Sequence, residues 1–133
     1  KIETPVFEDV QMGLSTGLAL NGFVSVSCYP RFDFLILACN QLVSHLDKIE
    51  YMSKGKMKPR VIIRTSIGPK TPLDGGPQHT ADYTESFKAM LTNTKVVSLN
   101  EPEEIFPAYE EALLGDEYHS TLIIENGGHY NDK

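Results

Sequence analysis

The sequence predicts an α/β domain of three layers, α/β/α, with helices on both faces of a mostly parallel central sheet. Two patterns carry that prediction. Short runs rich in β-branched residues alternate with longer stretches of helical periodicity, the order expected of βα units. One run, Val61-Ile62-Ile63, is apolar without alternation, as in a strand buried on both faces. A third feature points to a site. The strand runs into a glycine- and proline-rich segment from Ser66 to Thr80, SIGPKTPLDGGPQHT. Structureless loops of this length are uncommon in compact domains and are usually functional or disordered. In open α/β sheets ligands bind beyond the carboxyl ends of the strands, where this loop starts. It ends beside His79, a group able to exchange protons near neutral pH.

Taken in order, residues 8–20 carry Val10, Leu14, Leu18 and Ala19 at near-helical spacing, which predicts a first helix. Gly13 and Gly17 stand one turn apart; such glycines weaken a helix by about 1 kcal/mol each, so the pair predicts a face pressed against another backbone. Asn21-Gly22 stops the helix. Phe23 to Cys28 reads as a strand and Tyr29-Pro30-Arg31 as a connector. Asp33 is placed to cap a helix running to about Lys48, with Leu35, Ile36, Ala38, Cys39, Leu42, Val43 and Leu46 on its apolar face. After the long loop come a helix near Asp82 to Leu91 and a strand from Lys95 to Leu99. A helix from Glu101 to Leu114 follows, with Pro102 and acidic residues favourably in its first turn and Pro107 interrupting its middle. The last strand is Thr121 to Glu125.

The 133 residues fit one domain. With 41% hydrophobic and 23% charged residues, the composition is that of a globular protein. A net charge of −6 argues against a nucleic-acid surface. The local basic cluster Lys54-Gly55-Lys56-Met57-Lys58-Pro59-Arg60 reads as a solvated connecting loop. Cys28 and Cys39 make neither a disulfide framework nor a metal site and read as buried thiols, which suits a reducing compartment. No apolar run is long enough to span a bilayer and no signal peptide is present.

Candidate chemistry is sparse, and each candidate has two readings. Glu8 sits where Thr4-Pro5-Val6-Phe7 enters the first helix. A carboxylate there is favoured by the helix dipole alone, or it is held at a cleft edge to hydrogen-bond a ligand nitrogen. Phe32 and Phe34 flank Asp33 and are either core or a stacking platform for a flat ring. His79 follows Gly75-Gly76-Pro77-Gln78 and is either solvated or functional; His45, His119 and His129 lack such a setting. No HExxH, CxxC, GxSxG or GxxxxGK[ST] pattern occurs.

In order and spacing these segments resemble a known family. Thr4-Pro5-Val6-Phe7-Glu8, then the Gly13/Gly17 helix and Asn21-Gly22, is similar to the T-P-I-x-E … G-x-x-x-G-x-A-x-x-G segment of thiamine-diphosphate enzymes. Phe32-Asp33-Phe34 … Asn40-Gln41-Leu42 is similar to their F-x-F/Y … D-Q-hydrophobic helix. Tyr51-Met52-Ser53-x-Gly55, Pro59-x-Val61-x-x-Arg64, Gly68 and Gln78-His79-Thr80 resemble the Y-x-S-x-G … P-x-V-x-R-x-x-x-G … x-H-S run of one branch. That branch is the beta subunit of the decarboxylating component of 2-oxo acid (pyruvate or branched-chain) dehydrogenases. Transketolases carry a differently spaced version.

The resemblance implies a transketolase-like pyrimidine-binding domain over residues 1–133, without the family's first helix and strand and without its C-terminal domain. It implies thiamine diphosphate as cofactor, with Mg²⁺ and the diphosphate held by a partner chain, since the family's GDG…NN motif is absent here. The glutamate matching Glu8 then hydrogen-bonds the 1′ nitrogen of the aminopyrimidine and promotes the iminopyrimidine tautomer that makes the ylid, which is acid–base work by a positioned carboxylate. The aromatic matching Phe34, counted back from Gln41, stacks on the pyrimidine, with Phe32 as the neighbouring candidate. The histidine matching His79 helps bind or protonate the acyl group. Thr80 stands for the usual Ser and Asn40 for the usual Asp, and the Ser66–Gln78 loop is not a clean match. The expected activity is half of a 2-oxo acid dehydrogenase, not competent alone. It would act with a diphosphate-binding alpha-type subunit in a homo- or hetero-oligomer, without nucleic acid or membrane. The compartment is cytoplasmic, or the mitochondrial matrix in a eukaryote. A transketolase-like enzyme domain and a non-catalytic assembly module are the alternatives.

Overall fold

The computed structural model describes residues 1–117 and 120–131; His119 lies outside them. The elements are α1 (Glu8–Leu20), β1 (Ser25–Cys28), α2 (Phe32–Leu35), α3 (Ile49–Met52), β2 (Val61–Ile67), α4 (Thr84–Met90), β3 (Thr94–Leu99), α5 (Ile105–Leu114) and β4 (Ser120–Asn126). The four strands are all parallel, in the order β1-β2-β4-β3.

Alternation along the central strands divides the core in two, because successive side chains point to opposite faces. Val61 and Ile63 of β2 and Leu122 and Ile124 of β4 face one cluster. Met12 and Ala19 of α1, Phe32 and Leu35 of α2, Leu42 and Leu46, and Phe87 of α4 complete it. Ile62 and Ile123 point the other way, onto Leu99 of β3 and Ala112, Ala108 and Tyr109 of α5. Helices therefore cover both faces, as predicted. Each fully buried Leu, Ile or Phe contributes about 1.5–3 kcal/mol, so this sandwich is the main source of stability.

Several elements differ from the sequence reading. The helix after β1 begins at Phe32, and Arg31, not Asp33, is its N-cap. It continues as a 3₁₀ turn over Ile36–Ala38 and a π-helical stretch over Asn40–Leu46. The widened turn ends on Asp47, whose buried carboxylate accepts the backbone N–H of Thr92 (3.1 Å), Asn93 (2.8 Å) and Thr94 (2.8 Å). That clamp ties the helical segment to the start of β3. Pro107 interrupts nothing: a 3₁₀ turn over Pro102–Glu104 precedes α5, so Pro107 falls in the first turn of α5, where no i→i−4 donor is needed. Glu101 and Glu104 form a capping box there.

The buried face of α1 is Met12, Ser15, Thr16 and Ala19, while Val10 and Leu14 are exposed. The glycine pair does not press on another backbone among the described residues. An added Cβ on Gly17 meets nothing within 4 Å, and one on Gly13 makes ordinary contact with the Gln41 side chain at 3.7 Å. Cys28 is exposed rather than buried, and Cys39 is half-buried with its thiol pKa raised by burial. Arg60 is not part of a solvated loop. Its guanidinium donates to the carbonyls of Ala112 (3.2 Å), Leu113 (2.8 Å) and Gly115 (2.7 Å), capping the C-terminus of α5.

Candidate functional site

The carboxyl end of β1, the N-terminus of α1 and the loop after β2 converge on one side of the sheet. Gln11, one turn into α1, donates through Nε2 to Ser27 Oγ (3.0 Å) and to the Cys28 carbonyl (2.9 Å). The Tyr29 hydroxyl donates to the Glu8 backbone carbonyl (3.3 Å). These bonds hold the first turn of α1 against the end of β1. Tyr29 is 1% exposed. Burial pushes its phenol up to about 12, and the nearby Glu8 and Asp9 charges push the same way, against its bond to Ser27. It therefore acts as a neutral donor across the working pH range.

Glu8 is the first residue of α1 and is half-buried. No described side chain or backbone group hydrogen-bonds its carboxylate. Glu8 therefore offers an uncommitted acceptor at the N-terminus of α1.

The long loop begins after Ile67, two residues later than the sequence reading placed it. Its start is fixed by close approach: a Cβ on Gly68 would stand 1.9 Å from the His79 carbonyl oxygen and 3.3 Å from Arg31 Nε. Only glycine fits. A tight turn, with Gly76 at φ +77°, then brings the His79 N–H onto the Gly76 carbonyl (3.0 Å). His79 Nδ1 lies 3.0 Å from the Gly75 carbonyl. A carbonyl only accepts, so Nδ1 carries the proton in this contact and Nε2 is left out of it. Thr80, at the position of the expected serine, donates to the Gly76 carbonyl (3.1 Å) and closes the same turn.

The structure brings His79 and Phe34 together and separates Phe32 from them. The rings of Phe34 and His79 meet edge to face, with centroids 5.6 Å apart at 88°, a favourable arrangement for a quadrupolar pair. Phe34 is half-buried, with ring surface still open. Phe32 is 0% exposed and packs on Tyr83 (5.6 Å) and Phe87 (5.2 Å). It is a core residue, and its candidacy as a stacking platform fails for lack of an open face. In a strand positions i and i+2 would share a face; in the helical turn of α2 the two rings diverge.

Sequence reading missed a second polar constellation at the same end of the sheet. Glu125 of β4, 6% exposed, accepts Arg64 Nε (3.1 and 3.2 Å) and Nη2 (2.6 Å), the Tyr109 hydroxyl (2.6 Å) and the Tyr130 hydroxyl (2.5 Å). Burial alone would raise its pKa, but the bonds from Arg64, Tyr109 and Tyr130 outweigh burial and lower it. An arginine inside an apolar strand, two residues after Ile62, was the available signal. Among the described residues no group of three or more His, Cys, Asp or Glu side chains is placed to hold a metal ion. No helix among them is long and apolar enough to cross a membrane.

Comparison with known proteins gives one consistent answer. The family described as "Transketolase, pyrimidine binding domain" matches residues 1–132. "3-methyl-2-oxobutanoate dehydrogenase subunit beta" of Mycobacterium tuberculosis is 33% identical over 111 residues, covering 84% of this chain and 31% of the relative. "Pyruvate dehydrogenase E1 component subunit beta" of Rickettsia conorii is 28% identical over 125 residues, 94% of this chain and 37% of the relative. "2-oxoisovalerate dehydrogenase subunit beta" of Bacillus subtilis is 24% identical over 107 residues, 80% of this chain and 31% of the relative. The chain thus spans about a third of the length of the curated relatives it matches. With the family match running over nearly every residue and the parallel four-stranded sheet to carry it, the chain belongs to the transketolase pyrimidine-binding domain family.

Proposed function

We propose that this chain is the pyrimidine-binding half of a thiamine-diphosphate-dependent, decarboxylating 2-oxo acid dehydrogenase, beta-subunit-like, and that it works with an alpha-type partner holding the diphosphate through Mg²⁺. The reading rests on three groups, carried by the first turn of α1, the turn of α2 and the loop after β2. Glu8 has an uncommitted carboxylate, Phe34 an open ring surface, and His79 an Nε2 turned away from its loop bond. The beta-subunit names of the relatives support the same assignment.

These residues fit the flat, aminopyrimidine end of the cofactor. Its ring needs a stacking partner and a carboxylate opposite a ring nitrogen, and Phe34 and Glu8 are of those types. When bound, thiamine diphosphate supplies a carbanion able to attack the 2-oxo group and hold the electrons left by CO₂. This chain's part is to hold and orient. Tyr29 and Gln11 fix the turn that carries Glu8, Glu8 holds or moves a proton at its carboxylate, and His79 Nε2 offers a donor or acceptor to the acyl group. The diphosphate and metal belong to the partner. Exposed apolar side chains on α1 and β1, among them Val10 (50%), Leu14 (40%) and Val26 (57%), give such an assembly, or a second copy, a surface to bury.

The test is exchange of the cofactor's C2 proton, followed by NMR in the complex reconstituted with its alpha-type subunit. Glu8→Gln slows exchange by about 10²–10⁴-fold while thiamine diphosphate remains bound. Exchange at the wild-type rate refutes the role given to Glu8.

A further inference from the structure

Arg31 is the one arginine whose charge the fold does not use. The chain has three, and the other two are committed: Arg60 to the carbonyls ending α5, Arg64 to the Glu125 carboxylate. Arg31 makes one side-chain hydrogen bond, from Nη1 to its neighbour's carbonyl, Pro30 O (2.7 Å). Among the described residues no carboxylate lies within ion-pairing distance of it. Asp33 in the same turn, and Asp74 and Asp82 in and after the long loop, make other contacts. Asp33 Oδ1 faces the Tyr83 hydroxyl (3.5 Å), Asp74 accepts the Gly76 N–H (2.8 Å), and Asp82 accepts both the N–H and the hydroxyl of Thr84 (2.8 and 2.6 Å).

The position of this cation is fixed by the same contacts that build the site. The Arg31 carbonyl accepts the Phe34 N–H (3.1 Å), so the two side chains leave one short turn. Arg31 Nε and the His79 carbonyl both approach the space that a Cβ on Gly68 would take. His79 in turn stands edge-on to Phe34. Arg31, Phe34 and His79 are therefore linked through one short turn and one loop contact. Arg31 is half-buried, and its guanidinium retains N–H donors with no acceptor among the described residues. A planar fork in that state matches a carboxylate in two-point contact.

We infer that Arg31 is a specificity-determining residue that binds a carboxylate at the far end of the acyl donor, so that the preferred substrate is a 2-oxo acid bearing a second, side-chain carboxylate. The inference rests on the proposed function above. The reacting carboxylate is the wrong partner for Arg31. It loses its charge as CO₂ departs, and a cation holding it stabilises the ground state more than the transition state. A side-chain carboxylate keeps its charge throughout, so binding it lowers both states and selects the substrate. A site built to pair a charge discriminates strongly against analogues without it.

Two measurements test this, and they fail separately from the cofactor reading. The first needs neither cofactor nor partner. The chain is titrated with glutarate, and with butyrate as the one-carboxylate control, while the Arg31 Nε–Hε and His79 ring resonances are followed by NMR. Glutarate moves both signals and binds about tenfold more tightly than butyrate. Arg31→Gln abolishes the preference and Arg31→Lys, which keeps the charge without the fork, restores part of it. The Phe34–His79 ring contact reports that each variant has kept the loop. The second measurement uses the reconstituted complex. Arg31→Gln lowers the ratio of kcat/KM for 2-oxoglutarate over 2-oxobutanoate by about tenfold, through KM rather than kcat. Equal binding of glutarate and butyrate, or a ratio unmoved by Arg31→Gln, overturns the inference. Tighter binding of inorganic phosphate than of glutarate overturns the carboxylate assignment as well. An active complex with either of these results leaves the cofactor reading standing.

Discussion

Replacing Asp47 by Asn separates a charged clamp from a merely polar one. Asp47 is 1% exposed, and its carboxylate accepts three successive backbone N–H groups, those of Thr92, Asn93 and Thr94, as well as the Thr92 hydroxyl (3.0 Å) and the Lys48 ammonium (2.6 Å). Burial raises the pKa of such a group, yet the bonds from Lys48 and the backbone N–H groups outweigh it and bring the value from 3.8 down to about 2. A depressed carboxylate pKa stabilises the fold wherever the group is ionised in both states. The contribution is complete above the unfolded value and is lost as pH falls through the folded one. A shift of that size corresponds to about 2 kcal/mol at pH 7, about half of which has gone by pH 3. Asp47→Asn keeps the shape but loses the charge, leaves one carbonyl oxygen as acceptor, and places an NH₂ against backbone donors. The expected cost at pH 7 is about 2–4 kcal/mol. The assay is urea unfolding of both proteins at pH 7 and pH 3, read by far-UV circular dichroism. The gap between them narrows by about 1 kcal/mol on acidification. A gap of the same size at both pH values would refute the electrostatic account of the clamp.

The remaining predictions concern the frame around the site. Arg60→Ala removes the charged donor from three carbonyls at the end of α5 and lowers stability by about 2 kcal/mol; Arg60→Lys recovers only part of this, measured by the same unfolding assay. Gly68→Ala forces a methyl into the His79 carbonyl, costs about 1–3 kcal/mol, and abolishes the NMR cross-peak between the Phe34 and His79 rings. Glu125→Gln breaks the buried pair with Arg64 and costs about 3 kcal/mol at pH 7. Because the Glu125 pKa is lowered in the fold, that cost shrinks as pH falls below the usual carboxylate range.

Most of the layer architecture was legible in the sequence because it follows from periodicity. Val61-Ile62-Ile63 is apolar at every position because both faces of β2 are covered, Val61 and Ile63 by one cluster and Ile62 by the other. The first helix was legible in extent, Glu8–Leu20, but not in orientation. Its apolar stripe, Val10 and Leu14, faces outward while Ser15 and Thr16 are buried, their hydroxyls satisfied by the carbonyls of Gln11 (2.9 Å) and Met12 (3.0 Å). A pattern argument assumes that the apolar face seeks this chain's own core, and here it does not. Caps were misplaced for a local reason. Asp33 is a good N-cap type, but the helix starts two residues earlier, with Arg31 as the extended N-cap at φ −142° and ψ 148°.

At the site, the residues that touch along the chain were readable and those joined by folding were not. The glycines before His79 announced a tight turn, and Gly68, Gly75 and Gly76 are all needed there by contact or conformation. Phe34 and Phe32 were indistinguishable until the turn of α2 sent one ring to the core and the other to His79. Tyr29, Arg31 and Glu125 take their roles from partners between 5 and 61 positions away, such as Tyr130 and Arg64 for Glu125. No local spacing rule contains them.

The claim at the centre of this account is that the open ring of Phe34 carries the pyrimidine end of thiamine diphosphate. Calorimetric titration of the cofactor with Mg²⁺ into the complex of this chain and its alpha-type subunit tests it most directly, with the Phe34→Ala chain measured alongside the wild type. Loss of the stacking surface is expected to weaken binding by about tenfold, equivalent to about 1.4 kcal/mol. Equal affinity for the two complexes would contradict the claim.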